Sequence, residues 1–475
     1  GVAAVAQLAT VMILSRLLTQ EDYGTYRQVW LLFFTLAPVL DLGISQAVPY
    51  FTPQLRPEEQ KTYFTQSGLA LLASGSLLGG GLYLLAPAIA DLFSNPDLVL
   101  PLRAFSLFPV FALPFNMSEH AMVALGMAGK AGILTGAAAL LQAAVILAAF
   151  GLGASTSHAF IVLSAWTALR TVGLAGLLLL SSRNQAFHWD LRSLLRQLSF
   201  ALPLGAAAMV SLLGRQMDKI IVSSTVGPER YAVYANGSYD IPLISILTMS
   251  VMSVLIPAIV RAQAQGNMEE IRRMWHGAAR RVATVFFPVF VFLFIAAEPF
   301  IVFLFSADYT ESAQPFRVFL FLLPLRIAFY SGFLRALGRT GPIFITSAGG
   351  LVITSILAVV LVRFDWLGIL GPAIAVVVSS IWAAFYAISV AIRTLRWSWR
   401  TYFPWSALAS IMGIAILASL PSLFVGAFTS DLPPLPQLAT MGIVYALAYA
   451  ALGEWTGAAR LREWGHAVMD VVRQR

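Results

Sequence analysis

The chain has 475 residues, of which 59% are hydrophobic and 11% charged, with a formal net charge of +8; an ordinary soluble domain carries about 25% charged residues. No water-soluble fold covers that much apolar surface, and the absence of cysteine excludes a disulfide framework, a thiolate metal site and a cysteine nucleophile. The five histidines, His120, His158, His188, His276 and His466, form no metal-binding spacing such as HExxH, so neither a metal nor a cofactor is expected.

Apolar runs of about 18–28 residues, the length a helix needs to cross a bilayer, follow one another almost without pause. The first six fall near 1–18, 28–50, 64–91, 99–125, 131–152 and 159–182. Six more fall near 198–225, 232–259, 282–305, 313–335, 342–362 and 368–392, and a final pair near 403–426 and 437–455. The predicted fold class is all-α: a polytopic membrane protein with about fourteen transmembrane helices. Gly1 opens inside an apolar helix and no cleavable signal peptide is visible, so residues are expected to precede it.

The basic residues sit mostly in short loops, and their side alternates. One side collects Arg56 and Lys61, Lys130, then Arg183, Arg192 and Arg196, continues with Arg261, Arg272, Arg273, Arg280 and Arg281, and ends with Arg335, Arg339, Arg393, Arg396, Arg400 and the tail. With Arg460, Arg462, Arg473 and Arg475 that side has 20 basic residues; the opposite side has four, Arg16, Arg27, Arg230 and Arg363. This is topology control rather than nucleic-acid binding, and by the positive-inside rule it puts both termini in the cytoplasm. The Arg-rich stretches near 183–197 and 260–281 read as amphipathic surface helices.

The two six-helix halves resemble each other. Thr19-Gln-Glu-Asp-Tyr-Gly-Thr-Tyr26 matches Gly227-Pro-Glu-Arg-Tyr-Ala-Val-Tyr234, and Pro49 falls on Pro257 at the same offset. Further on, Leu92-Phe-Ser94 matches Leu304-Phe-Ser306, Arg103 pairs with Arg317, Ala124–Gly129 with Ala336–Gly341, and Trp166 with Trp382. An even number of helices per repeat keeps both halves in one orientation, the plan of a transporter with parallel lobes. The expected organisation is an N-lobe at 1–183, a C-lobe at 184–397, and helices 13 and 14 with a cytoplasmic tail at 398–475.

Leu14-Ser-Arg-Leu-Leu-Thr-Gln-Glu-Asp-Tyr-Gly-Thr-Tyr26 with Asp41-Leu-Gly-Ile-Ser45 resembles the opening of polysaccharide-biosynthesis flippases. These belong to the superfamily that also holds multidrug and toxin extrusion transporters. Asp218-Lys-Ile-Ile-Val222 with Tyr231-Ala-Val-Tyr234 is similar to that family's seventh-helix motif, and Asp308-Tyr309 and Ala336-Leu-Gly338 fit its later ones. The resemblance spans essentially the whole chain. It implies a bacterial inner-membrane protein with two lobes around a cationic cavity, which moves an undecaprenyl-diphosphate-linked oligosaccharide by alternating access. It implies the lipid bilayer and that glycolipid as partners, with no nucleic acid, and a monomer. Polysaccharide polymerase machinery and a coupling proton or sodium ion are left open.

The residues themselves support an anionic substrate. Arg103, Arg170, Arg215, Lys219, Arg317 and Arg326 fall within spans, where each costs about 2.5–3.5 kcal/mol on insertion scales. Arg215 and Lys219, four apart on helix seven, share a face suited to phosphate oxygens; Asp218 beside them offers an internal ion pair instead. The candidate substrate-binding residues are Arg16, Arg27, Arg215 and Lys219, with snorkelling as the other reading of Arg16 and Arg27. Asp41, Asp218 and Asp240 are candidates for ion coupling or charge pairing, Asp41 also as the cap of a break at Gly43 and Asp240 as the mark of one before Pro242. Gly79, Gly80 and Gly81 read as a helix-packing site, and Tyr23, Trp30, Trp366, Trp397, Trp399 and Trp405 as an interfacial aromatic belt. Two other functions fit less well: an ion-coupled drug-cation exporter wants an acidic site, and a membrane polymerase or ligase wants a larger outer loop.

Overall fold

The computed structural model describes residues 2–181, 187–328 and 330–457. Arg183 and the tail cations Arg460, Arg462, Arg473 and Arg475 lie outside the described residues. Every regular element within them is helical, and the reason is chemical: lipid offers no partner for a backbone amide, so a crossing segment must satisfy its own.

The chain forms two compact units, Gly1–Ala235 and Asn236–Arg475. The first holds α1 (Val2–Leu17), α2 (Gln20–Leu40), α3 (Ile44–Phe51), α4 (Pro57–Leu84), α5 (Ala86–Leu92), α6 (Val99–Phe105), α7 (Leu107–Ala124), α8 (Ala128–Gly151), α9 (Thr156–Ser181) and most of α10 (Leu191–Gly237). The second holds α11 (Pro242–Ala264), α12 (Met268–Ile295), α13 (Ala297–Phe305), α14 (Ala313–Leu320), α15 (Leu322–Arg326), α16 (Tyr330–Ala336), α17 (Gly341–Leu361), α18 (Leu370–Leu395), α19 (Trp399–Tyr402), α20 (Trp405–Phe428) and α21 (Pro434–Thr456). The first unit thus runs past the repeat boundary at 183/184 and takes in helix seven. Gln28 Nε2 donates to Ser223 Oγ at 3.0 Å, and Ser67 Oγ donates to Gln197 Oε1 at 2.9 Å; both contacts bind α10 to the helices before it.

Among the described residues ten helices are long and apolar enough to cross a membrane, and thirteen candidates result if each of three bent pairs is one span. The fourteen expected are reached only by adding the shorter apolar helix Val2–Leu17. The surface agrees with a lipid setting. In α8, mean hydropathy is 2.2 and only 11% of its most apolar window is buried; its repeat counterpart α17 has 2.3 and 17%. Such helices would be insoluble in water, so their outward side chains face acyl chains.

Several sequence expectations shift. The stretch near 260–281 is not a separate surface helix, because α12 runs unbroken from Met268 into its span. Likewise, Leu191–Pro203 is the first arm of α10, bent by 48° from Ala208–Gly237. Of the glycine run, only Gly79 is a packing point: a Cβ there would lie 2.0 Å from the Ser106 carbonyl oxygen, whereas Gly80 and Gly81 face open space. Gly75, one turn earlier, meets Pro109 at 2.6 Å, so the small-xxx-small pair that lets α4 approach α7 is Gly75 and Gly79. Tyr23 is fully buried, and Trp30 packs among Phe34, Phe105 and Phe108 at 5.3–5.5 Å. Neither belongs to an interfacial belt; exposed Trp366, Trp399 and Trp405 remain suited to one. Helix α21 packs on α12: Tyr449 Oη donates to the Thr284 carbonyl at 3.1 Å and Tyr445 packs on Phe292 at 5.4 Å, while buried Trp275 Nε1 of α12 donates to the Tyr402 carbonyl of α19 at 2.8 Å.

Candidate functional site

The matched repeat motifs meet in the first unit. Thr19 caps α2, its hydroxyl oxygen accepting from Asp22 N at 3.1 Å. The second copy starts instead at Gly227, whose backbone (φ 76°, ψ 174°) breaks α10 just before Pro228; a left-handed residue followed by proline is a helix stop and restart. The two motifs cross where a Cβ on Gly24 would lie 2.1 Å from the Pro228 carbonyl oxygen. The motif tyrosines Tyr23, Tyr26, Tyr231 and Tyr234 are all buried around that crossing.

Arg27 is spent on this junction. One Nη donates to Tyr23 Oη at 2.8 Å, the other to the Ala235 carbonyl at 3.2 Å, and the guanidinium lies 5.6 Å from the Tyr23 ring centre. It thereby ties the first motif to the second. Beside it runs a buried polar chain that sequence reasoning missed. Asn95 Nδ2 donates to Thr25 Oγ1 at 2.8 Å and to Gln28 Oε1 at 2.6 Å, and Gln28 passes on to Ser223. The available signal was the rarity of Gln and Asn in apolar surroundings, where buried amides persist only when partnered.

On α10, Asp218 is 1% exposed and accepts from Tyr234 Oη at 2.7 Å and from Lys219 Nζ at 3.3 Å. The tyrosine comes from the second motif, so Asp218 fastens the stretches of α10 on either side of the Gly227 break. Lys219 keeps 22% of its side chain exposed and also donates to the Arg215 carbonyl at 3.3 Å. Arg215 is exposed and forms no ion pair among the described residues. Four residues apart, the two cations stand on one helix face, with the neighbouring carboxylate turned inward to Tyr234. The result is a cationic stripe in an apolar span.

The other candidates are dispersed. Arg16, exposed at the end of α1, donates to the Met12 carbonyl at 2.6 Å, a cation on its own helix C-terminus. Asp41, the residue that follows α2, caps the first turn of α3: Ser45 Oγ donates to its Oδ1 at 2.5 Å and Ser45 N to its Oδ2 at 3.3 Å. Asp240 lies in the break before α11 and accepts from Arg326 Nη2 at 2.9 Å. Of the remaining span cations, Arg170 donates to Gln142 Oε1 at 2.8 Å over the Phe115 face, Arg103 lies over Tyr83, and Arg317 donates to the Phe294 carbonyl. The structure therefore brings together Arg215, Lys219 and Asp218, and gives Arg27, Asp41 and Asp240 separate neighbours.

A family model described as polysaccharide biosynthesis protein matches residues 13–314. The chain is 23% identical over 295 residues to the probable lipid II flippase MurJ of Rhizobium meliloti (strain 1021), covering 59% of this chain and 48% of that protein. It therefore spans about half the length of the curated relative it matches. Among solved structures, the lipid II flippase MurJ in an inward closed conformation superposes with a TM-score of 0.70 at 16% identity, covering 95% of this chain and 98% of that one. A multidrug resistance MATE family transporter of the MOP superfamily, inward-facing, gives 0.63 at 18% identity, covering 83% and 95%. At such identities the likeness establishes the fold alone.

Proposed function

We propose that this chain, which belongs to the polysaccharide biosynthesis protein family, is a flippase for an undecaprenyl-diphosphate-linked oligosaccharide in a bacterial inner membrane. It acts as a transporter rather than an enzyme, moving the head group between leaflets by alternating access of its two six-helix lobes.

The observation that carries this reading is the stripe on α10. Arg215 is an exposed cation in an apolar span with no ion-pair partner among the described residues, and Lys219 stands one turn away. A bare cation at that depth costs about 2.5–3.5 kcal/mol, and a ligand carrying its own negative charge offsets it. A diphosphate is the natural complement, because the guanidinium fork engages two phosphate oxygens at once. Arg16 is a second, outlying cation, and Arg27 acts through the junction it holds. Asp41, Asp218 and Asp240 have hydrogen-bond or ion-pair partners; of these, Asp218, paired with Lys219, is the candidate to couple a proton or sodium ion to the stripe.

The test is polymer export in a strain depending on this chain. Arg215→Ala is expected to abolish export while membrane insertion and folding persist, and Arg215→Lys to retain part of it. Normal export by both Arg215→Ala and Lys219→Ala overturns the cationic-stripe model. Efflux of cationic dyes by the wild-type protein favours drug export instead.

A further inference from the structure

A second polar site lies in the first unit, away from the α10 stripe. The end of α3, the turn after it and the start of α4 face residues 188–200 across a cleft of about 1130 Å³. Two contacts hold its walls: His188 N donates to Thr62 Oγ1 at 3.2 Å, and Ser67 bonds Gln197 as above. Of the basic residues that the positive-inside rule assigns to the cytoplasm, Arg56 lines one wall and Arg196 the other.

We propose that this cleft receives the sugar part of the lipid-linked substrate on the cytoplasmic side; the inference rests on the flippase reading above. Three features select a carbohydrate. The first is an aromatic wall open to the cleft: Tyr50 and Phe200 stack at 4.4 Å between ring centres and 13° between planes, with Tyr50 52% exposed. Such a ring pair presents a broad apolar face with a polar edge, the surface on which sugar C–H faces pack. The second is the mixture of charges. Arg56 and Arg196 line the cleft with Glu58, Glu59 and Asp190, so it offers both the donors and the acceptors that hydroxyl groups require. With three carboxylates against two guanidiniums, a diphosphate is a poor occupant.

The third is an orphan. Tyr63 also lines the cleft and is only 3% exposed, yet its Oη has no hydrogen-bond partner among the described residues. Buried hydroxyls are normally satisfied, and a sugar hydroxyl in the cleft supplies what this one lacks. The volume slightly exceeds the roughly 300–1,000 Å³ of small-molecule sites, which suits an oligosaccharide better than one sugar ring. The acidic balance further selects neutral or N-acetylated sugars over uronic acids.

The full chain in nanodiscs is titrated with four polyprenyl diphosphates: bare, and carrying a neutral hexose, an N-acetylhexosamine or a hexuronate disaccharide. The wild-type protein is expected to bind at least one of the two lipids with uncharged sugars about tenfold more tightly than the bare lipid, a gain of about 1.4 kcal/mol, and the hexuronate less tightly than either. Tyr63→Phe, which keeps the ring and its packing, and Tyr50→Ala, at an exposed position, are each expected to erase most of that preference without weakening binding of the bare lipid. Arg215→Ala is expected to weaken all four alike. A sugar preference that survives both tyrosine variants overturns the cleft assignment and leaves the flippase reading standing, as does a wild-type protein that binds all four lipids equally. Failure of the wild-type protein to bind any of the four overturns the flippase reading, and this inference with it.

Discussion

The two repeats interrupt their second helix at different places and by different means. In the first, α2 runs for 21 residues before the break at Asp41–Gly43; in the second, the helix restarting after Gly227 ends at Gly237, and α11 begins at Pro242. At the offset that aligns Tyr23 with Tyr231, Asp41 falls on Met249 and Asp240 on Leu32. The two carboxylates are thus not counterparts, although each marks a break. The first break is closed locally, by the Asp41 cap on Ser45 and by a backbone crossing in which Gly43, at φ 72°, lies against Ala201 and Gly205. The second is held by a longer reach, Asp240 to Arg326 on α15, with 62% of the aspartate side chain exposed. One sequence repeat has therefore acquired a packed break in one copy and an exposed ion pair in the other.

Substitutions at the two breaks discriminate sharply between these devices. Gly43→Ala is expected to have the largest effect. Its new methyl would lie 2.2 Å from the Ala201 carbonyl oxygen at a left-handed position, so overpacking and backbone strain together cost about 2–5 kcal/mol. Thermal unfolding in detergent should register a clear loss, and an unchanged midpoint would mean that the crossing is loose. Asp41→Ala comes next. Loss of the cap is expected to cost about 1 kcal/mol, and Ser45→Ala should reproduce most of it without adding to it when the two are combined. Smallest is Asp240→Asn. An ion pair this exposed is worth at most about 1 kcal/mol, so its midpoint should shift little and the shift should shrink further in high salt. A larger loss at Asp240 than at Gly43 would reverse the comparison and make the ion pair the principal clasp.

The same contrast separates legible from illegible features of the candidate site. Arg215 and Lys219 could be placed on one face from their spacing, because helical periodicity is a property of four consecutive residues. Which of the chain's cations has intramolecular partners could not. Arg27 and Arg215 are both candidate ligands by sequence, yet Arg27 bonds Tyr23 and Ala235 and Arg215 has no ion pair among the described residues. Tyr234 was legible as half of a repeat motif, not as the donor that turns Asp218 inward. The rim cleft was invisible, since its walls come from residues 50–63 and 188–200, whose approach depends on every helix between them.

By itself the sequence determined the membrane class, the helical secondary structure and most span positions. Those follow from hydropathy, loop charge and local pattern, which add up residue by residue along the chain. The tertiary structure decided where each helix breaks, which glycines are crossing points, where helix seven packs and which charges have partners. Each of these depends on one close contact between distant segments, and such contacts are fixed by packing geometry that no local window of sequence contains.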